Sequence, residues 1–294
     1  MNNQTIIQKI IHFNPTKIII GTTVVAGSVF LCESTLRPLL DKTQMTFNSK
    51  NLIIAALNSG IALVAYIFLF RFYEKRKITE LSRSALPGNA GAGFLTGLIL
   101  QSLIVLVIYI FANYSILRIN PVSSLLPALA TAFTAGIVAE IVIVGIFFRL
   151  AEEKLGTLIT LLIMMIFFCI MHSGAKGATV ISVLAVIVNA GILLPAAFIF
   201  TRTLWFPMFL HFAWDFAEPG IYGGVNPGNS VQQSLFSSKI NGPDFLTGGA
   251  LGPQNSIQSI LLCLVLALFF LGAAKRQNKF IKPFWTNKVP GSNK

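Results

Sequence analysis

Long apolar runs alternate with short polar breaks along almost the whole chain. Most of the runs are long enough to cross a bilayer as helices. Taken in order, they predict spans at 18–33, 51–70, 92–112, 123–150, 157–172, 178–200, 203–217 and 255–274. The breaks differ in kind. Residues 71–88, RFYEKRKITELSRSALPG, hold five basic residues. Asn120-Pro121 starts a turn, with Pro121 near the beginning of the fourth helix. Gly156 and the later SGAKG segment read as helix breaks. Asn189, Gly191 and Pro195 inside the sixth run predict a close helix approach or a kink. Residues 218–254, rich in Gly, Pro, Asn and Ser, predict a surface loop with a short amphipathic helix around Val231–Ser238. The expected fold is an all-α polytopic transmembrane bundle of about eight spans. Residues 1–122 form its first three helices and a basic loop. Residues 123–217 form the core with the polar site, and 218–294 supply an external loop, a last span and a basic tail.

Composition supports the membrane reading. Hydrophobic residues make up 54% of the 294 and charged residues 11%, against about 25% charged in soluble domains. Mean hydropathy is +0.75. The net charge of +12 raises the question of nucleic acid. The basic residues, however, cluster in the breaks between apolar runs, where they act as topology signals at lipid headgroups. No nucleic-acid partner is expected. With both termini in the cytoplasm, 16 of the 22 Lys and Arg fall on the cytoplasmic side. The expected setting is a bacterial plasma membrane. The three cysteines lie in or near apolar runs without a CxxC, and read as buried thiols. The first run lacks a small-residue cleavage site and is expected to stay as a span. His12 is expected at headgroup level or in solvent, and Asn58 as a helix–helix hydrogen-bonding residue.

Candidate chemistry sits inside the apolar runs. In Leu204–Asp215, LWFPMFLHFAWD, His211 and Asp215 are four residues apart and share one helix face. Glu140 lies within VAEIVIVGIFF, and His172 ends MMIFFCIMH. Ionisable groups at such positions are costly unless paired or functional. Two His with Glu and Asp form a mixed set for Zn²⁺ or another divalent cation. Without metal, a carboxylate can deprotonate water while imidazoles stabilise the oxyanion at a peptide carbonyl. Either way the expected reaction is hydrolysis in a water-reached cavity. HExxH, GxSxG, Walker and GxGxxG patterns are absent. Depth is uneven. At about 1.5 Å per residue, Glu140 lies about 14 Å from Arg149 and His211 about 12 Å from Thr203, but His172 about 24 Å from Gly156. Glu152-Glu153 reads as a solvated or interfacial pair at a helix end.

Phe168-xxx-His172, His211-xxx-Asp215 and the run TRTLWFPMFLHFAWDF, with Trp205, Pro207 and Trp214, carry a resemblance. The region 136–215 resembles the CPBP family of intramembrane proteases, related to CAAX prenyl proteases and bacterial Abi proteins. The family pattern is EExxxR, then FxxxH, then HxxxN or HxxxD. The last two are kept, but the first is degenerate. Aligned through Gly145, the family's two glutamates fall on Ala139 and Glu140, and its arginine on Val144.

The resemblance implies a CAAX-protease-like core and a peptidase acting on a peptide or membrane-protein tail through a lateral or cytoplasmic opening. Glu140 would be base or metal ligand. His172 and His211 would be ligands or oxyanion donors, and Asp215 a ligand or the residue orienting His211. The family's water-activating glutamate falls on Ala139, so a non-catalytic binding or immunity protein with the same fold stands as the alternative. Prenylated tails are substrates of eukaryotic relatives, and peptide maturation, bacteriocin immunity or signalling is linked to bacterial ones. A proton-relay transporter using Glu140 and Asp215 is disfavoured, since the two halves show no paired broken helices.

Overall fold

The computed structural model describes residues 13–223 and 234–286. His12 and Val231–Gln233 lie outside the described residues. Among the described residues, eight apolar helices form the bundle. They are α1 (Asn14–Asp41), α2 (Phe47–Tyr73), α3 (Leu86–Phe111), α4 (Val122–Leu155), α5 (Thr157–Ser173), α6 (Val180–Thr201), α7 (Trp205–Phe216) and α8 (Ile257–Arg276). Six are long and apolar enough to cross a membrane, which makes this a multi-pass membrane protein. The two exceptions are α5, with 17 residues, and α7, with 12.

Local chemistry sets most helix ends. Thr46, Thr179 and Ser256 cap α2, α6 and α8 by accepting from the backbone N–H of the third residue onward. Thr179 and Ser182 complete a capping box. Gly156, at φ +78°, ends α4 and opens α5. A side chain there would also meet Pro283 in the tail.

Three elements differ from expectation. α1 continues to Asp41 rather than ending near 33, because Glu33 and Arg37 pair at 2.9 Å on one helix face. α3 begins at Leu86 rather than 92, taking the small residues Pro87–Gly93 into the helix. The described parts of 218–254, residues 218–223 and 234–254, are more ordered than a surface loop. Helix α7 runs on as a π-turn, Ala217–Tyr222. The described part of the expected amphipathic helix falls instead at the start of a strand, β2 (Phe236–Asn241). It pairs antiparallel with β1 (Asn113–Ile119), which follows α3. Backbone pairing to that distant strand overrides a weak local helical pattern.

One end of the bundle collects the basic breaks. Lys17 and Arg76 both pair with Glu74, at 3.0 and 2.7 Å. Arg76 reaches Glu80 at 2.6 Å, and Arg149 reaches Glu74 at 3.1 Å. Tyr66 donates to Glu80 at 2.6 Å. The loop is also tied to α7, through Leu204 N–H to the Glu80 carbonyl and Trp205 Nε1 to the Ser82 carbonyl. Glu152 is not a solvated residue. It is 1% exposed and pairs with Arg202 at 2.6 Å, because the turn between α6 and α7 brings that guanidinium over it. Glu153 is the half-exposed member and pairs with Arg149.

Burial alone would raise the Glu74 and Glu80 carboxyls. Arg149, with hydrogen bonds from Arg76 and Lys17, outweighs burial at Glu74, and bonds from Arg76 and Tyr66 do so at Glu80. Both carboxyls are held below the usual range. Their stabilisation is complete above the unfolded carboxylate value of about 4.3. It is lost as pH falls through the lower folded values. The thermal midpoint in nanodiscs is therefore expected to hold from about pH 7 to about pH 5 and to fall below about pH 4. Glu80→Gln should flatten that acid limb. An unchanged limb in the variant would remove Glu80 from the account.

Candidate active site

Helix α7 is held between α3 and α4. Glycines make this possible, since a Cβ on Gly93 or Gly97 would stand 2.3 Å from the Phe206 or Leu210 carbonyl oxygen. A Cβ on Gly136 would stand 2.5 Å from Phe212 Cα. Backbones in such close contact bring α4 within one side chain's reach of His211.

On α4, Glu140 sits between two π-helical stretches, Thr134–Ala139 and Ile141–Phe148. Such wide turns re-aim side chains and are frequent at functional sites. Glu140 is 1% exposed, and its Oε1 lies 2.8 Å from His211 Nδ1. On the other side of the ring, His211 Nε2 lies 3.5 Å from Asp215 Oδ2. The imidazole thus directs both nitrogens at carboxylate oxygens. Carboxylates only accept, so this arrangement suits an imidazolium donating from both nitrogens.

His172 is separate from that row but shares its cavity. A space of about 400 Å³ is lined by His172, His211, Asp215, Asn189, Trp214 and Gln254, among others. Glu140 does not line it and stands behind His211. His172 Nδ1 is 3.1 Å from the Phe168 carbonyl, and the ring stacks on Phe168 at 5.9 Å. A carbonyl cannot donate, so Nδ1 carries the proton and Nε2 keeps its lone pair in the neutral ring. The phenylalanine of FxxxH therefore has two roles here, as ring support and as carbonyl acceptor. The depth expected for His172 does not keep it out, because the cavity extends to Ala175 and Ala178 beyond the end of α5. These residues, with Leu251 and Asn255, lie at the end opposite the basic cluster. The cavity thus reaches toward that end, away from the basic loops.

Residues 121–217 match the family described as Rce1-like, type II CAAX prenyl endopeptidase Rce1-like. Over these residues, about a third of its length, the chain is similar to that family. Comparison with curated proteins and with solved structures finds no match. The family match contains Glu140, His172, His211 and Asp215. Trp205 and Pro207 of the third-motif run begin α7, and Trp214 Nε1 donates to Gln254 Oε1 at 3.0 Å.

The degenerate first motif has a structural consequence. Val144 is wholly buried among apolar side chains, so the family's arginine has no place at this position. Glu140, His172, His211 and Asp215, the mixed set expected from the sequence for a divalent cation, are engaged with one another or with a carbonyl. Among the described residues no three His, Cys, Asp or Glu are grouped to hold a metal ion. His211 already directs both nitrogens at Glu140 and Asp215, and His172 Nδ1 faces a carbonyl.

Several site residues were not evident from sequence. Glu218, 6% exposed, accepts from Gln101 Nε2 at 2.6 Å and from the Gln254 N–H at 2.9 Å. Gln101, a long polar side chain deep in an apolar run, was a readable signal for such a partner. Glu218 was masked by Pro219, which marked the start of a loop.

Proposed function

We propose that this protein is an intramembrane peptidase that cleaves a peptide or a membrane-protein tail in the cavity between α5, α6 and α7. The observation that carries this reading is the unequal state of two histidines in one space. His172 offers a lone pair, while His211, between Glu140 and Asp215, offers protons. His172 Nε2 would take a proton from water as the resulting hydroxide attacks the peptide carbonyl. The His211 Nε2–H, whose 3.5 Å approach to Asp215 is the looser of its two contacts, would be shared with the oxyanion that forms. The His172 imidazolium would then give its proton to the leaving amine, closing the proton cycle. Asp215, at the cavity wall, steadies the charge on His211. Glu140 cannot touch substrate and acts as a positioning residue for His211. The base lost with Ala139 is thus supplied by His172. With the basic end in the cytoplasm, as the charge count favours, the far end of the cavity lies toward the other side, and the substrate would arrive from outside or laterally.

One feature favours a second reading, peptide binding without cleavage. Ala139 stands where the family carries its water-activating glutamate. A single experiment separates the two. The protein in nanodiscs is incubated with membrane-derived peptides, and products are followed by mass spectrometry. Cleavage is expected, with kcat/KM lowered about 100-fold or more in His172→Ala and His211→Ala. Glu140→Gln should lower it by weakening the imidazolium. Cleavage equal in all variants would remove this site. Binding without any product would establish the second reading.

A further inference from the structure

Gln254 lies outside the family match, yet it is one of the most firmly held residues of the cavity wall. Its backbone N–H donates to Glu218, which also accepts from Gln101 on α3. Its carbonyl accepts from Asn189 Nδ2 on α6 at 3.1 Å. Its side-chain Oε1 accepts from Trp214 Nε1 on α7. An indole N–H can only donate, so the amide orientation is settled, with oxygen toward Trp214 and the NH₂ group on the other side. Among the described residues, nothing accepts from that NH₂. Asn189 is the complement. Its Nδ2 donates to the Gln254 carbonyl and to Ser259 Oγ, both at 3.1 Å, while its Oδ1 is buried without a partner. Both residues line the cavity that holds His172, His211 and Asp215.

We infer that Gln254 and Asn189 bind the main chain of a peptide in this cavity, Gln254 Nε2 donating to a carbonyl and Asn189 Oδ1 accepting from an amide N–H. One donor and one acceptor, already immobilised, match what an extended peptide backbone presents. Their preorganisation limits the entropy lost on binding. Recognition of this kind reads the backbone and tolerates many side chains. A lipid ester offers a carbonyl but no N–H, so it can satisfy only Gln254. The inference rests on reading the cavity as a peptide site, but not on cleavage.

The test uses the full chain in nanodiscs and a fluorescent pool of acetylated hexapeptides of mixed apolar sequence. The same pool is also made with N-methylated backbones, and a short-chain diacylglycerol serves as competitor. Wild type is expected to bind the unmodified pool and to lose about tenfold in affinity for the N-methylated one. Gln254→Glu keeps the bond to Trp214 but replaces the donor. It should raise Kd about tenfold, and raise KM with kcat unchanged if cleavage occurs. No binding of the pool, equal binding of the N-methylated pool, or displacement by diacylglycerol alone would each overturn the inference. Should Gln254→Glu fold poorly, the backbone-modified peptides decide on wild type. Loss of affinity without cleavage in any protein leaves this inference standing and ends the peptidase reading. Cleavage with a neutral Gln254→Glu does the reverse.

Discussion

Gly97→Val is expected to disrupt the seat of α7 and the site it carries. The added Cβ would sit 2.3 Å from the Leu210 carbonyl oxygen and 3.0 Å from Ala213 Cβ. Neither is the flexible end of a side chain, so the helices must part. Overpacking of this kind costs about 1–3 kcal/mol in ordinary cores. Here the upper end or beyond is expected, because α3 forms the most extensive contact of α7. His211 follows Leu210 directly, so separation also lengthens the 2.8 Å contact with Glu140. Thermal unfolding in nanodiscs and peptide cleavage or binding measure both effects. Gly60→Ala is the control, since a Cβ there meets nothing within 4 Å. A Gly97→Val midpoint as close to wild type as that of the control would show that α3 and α7 do not require this approach.

The second large effect is expected from Arg202→Ala. Glu152 has a side chain 1% exposed and is held by Arg202 at 2.6 and 3.1 Å and by Thr157 at 2.5 Å. Removing the guanidinium leaves a buried carboxylate with one hydroxyl donor. Breaking a buried pair from one side costs about 3–5 kcal/mol. Arg202 also donates to the Lys279 carbonyl, so the tail after α8 loses a tether. Adding Glu152→Gln to Arg202→Ala removes the stranded charge and should restore much of the lost thermal midpoint. If the double variant is no more stable than Arg202→Ala, the loss comes from packing or tail release and not from the buried charge.

Arg202 also shows where sequence reading stopped short. It occupies a left-handed backbone position, φ 55°, in the link between α6 and α7. In the sequence it was one more positive charge between apolar runs, and Glu152 was a helix-end acid. That they meet depends on a turn whose geometry no local pattern specifies. Glu140 presents the same difficulty in another form. Its run announced a costly buried carboxylate, but periodicity of a regular helix could not say whether it would reach His211. Two π-helical stretches on either side decide that. Residues 218–254 read as a surface loop because Gly, Pro, Asn and Ser are frequent in them, yet Gln254 at their end forms part of the cavity wall.

Apolar run length and the cost of buried ionisable groups were enough to find the helices, name Glu140, His172, His211 and Asp215, and suggest a common site. Those constraints act locally, on hydrogen-bonded helices in a medium without water, and so can be read from residue order. Which atom faces which was decided by helix contact through Gly93, Gly97 and Gly136, and by hydrogen bonds between distant segments. That placed Glu140 behind the imidazole, gave the two histidines different hydrogen-bond partners and brought Gln254 to the wall. Such pairings depend on ångström-scale distances between helix backbones, which exist only once the bundle has closed.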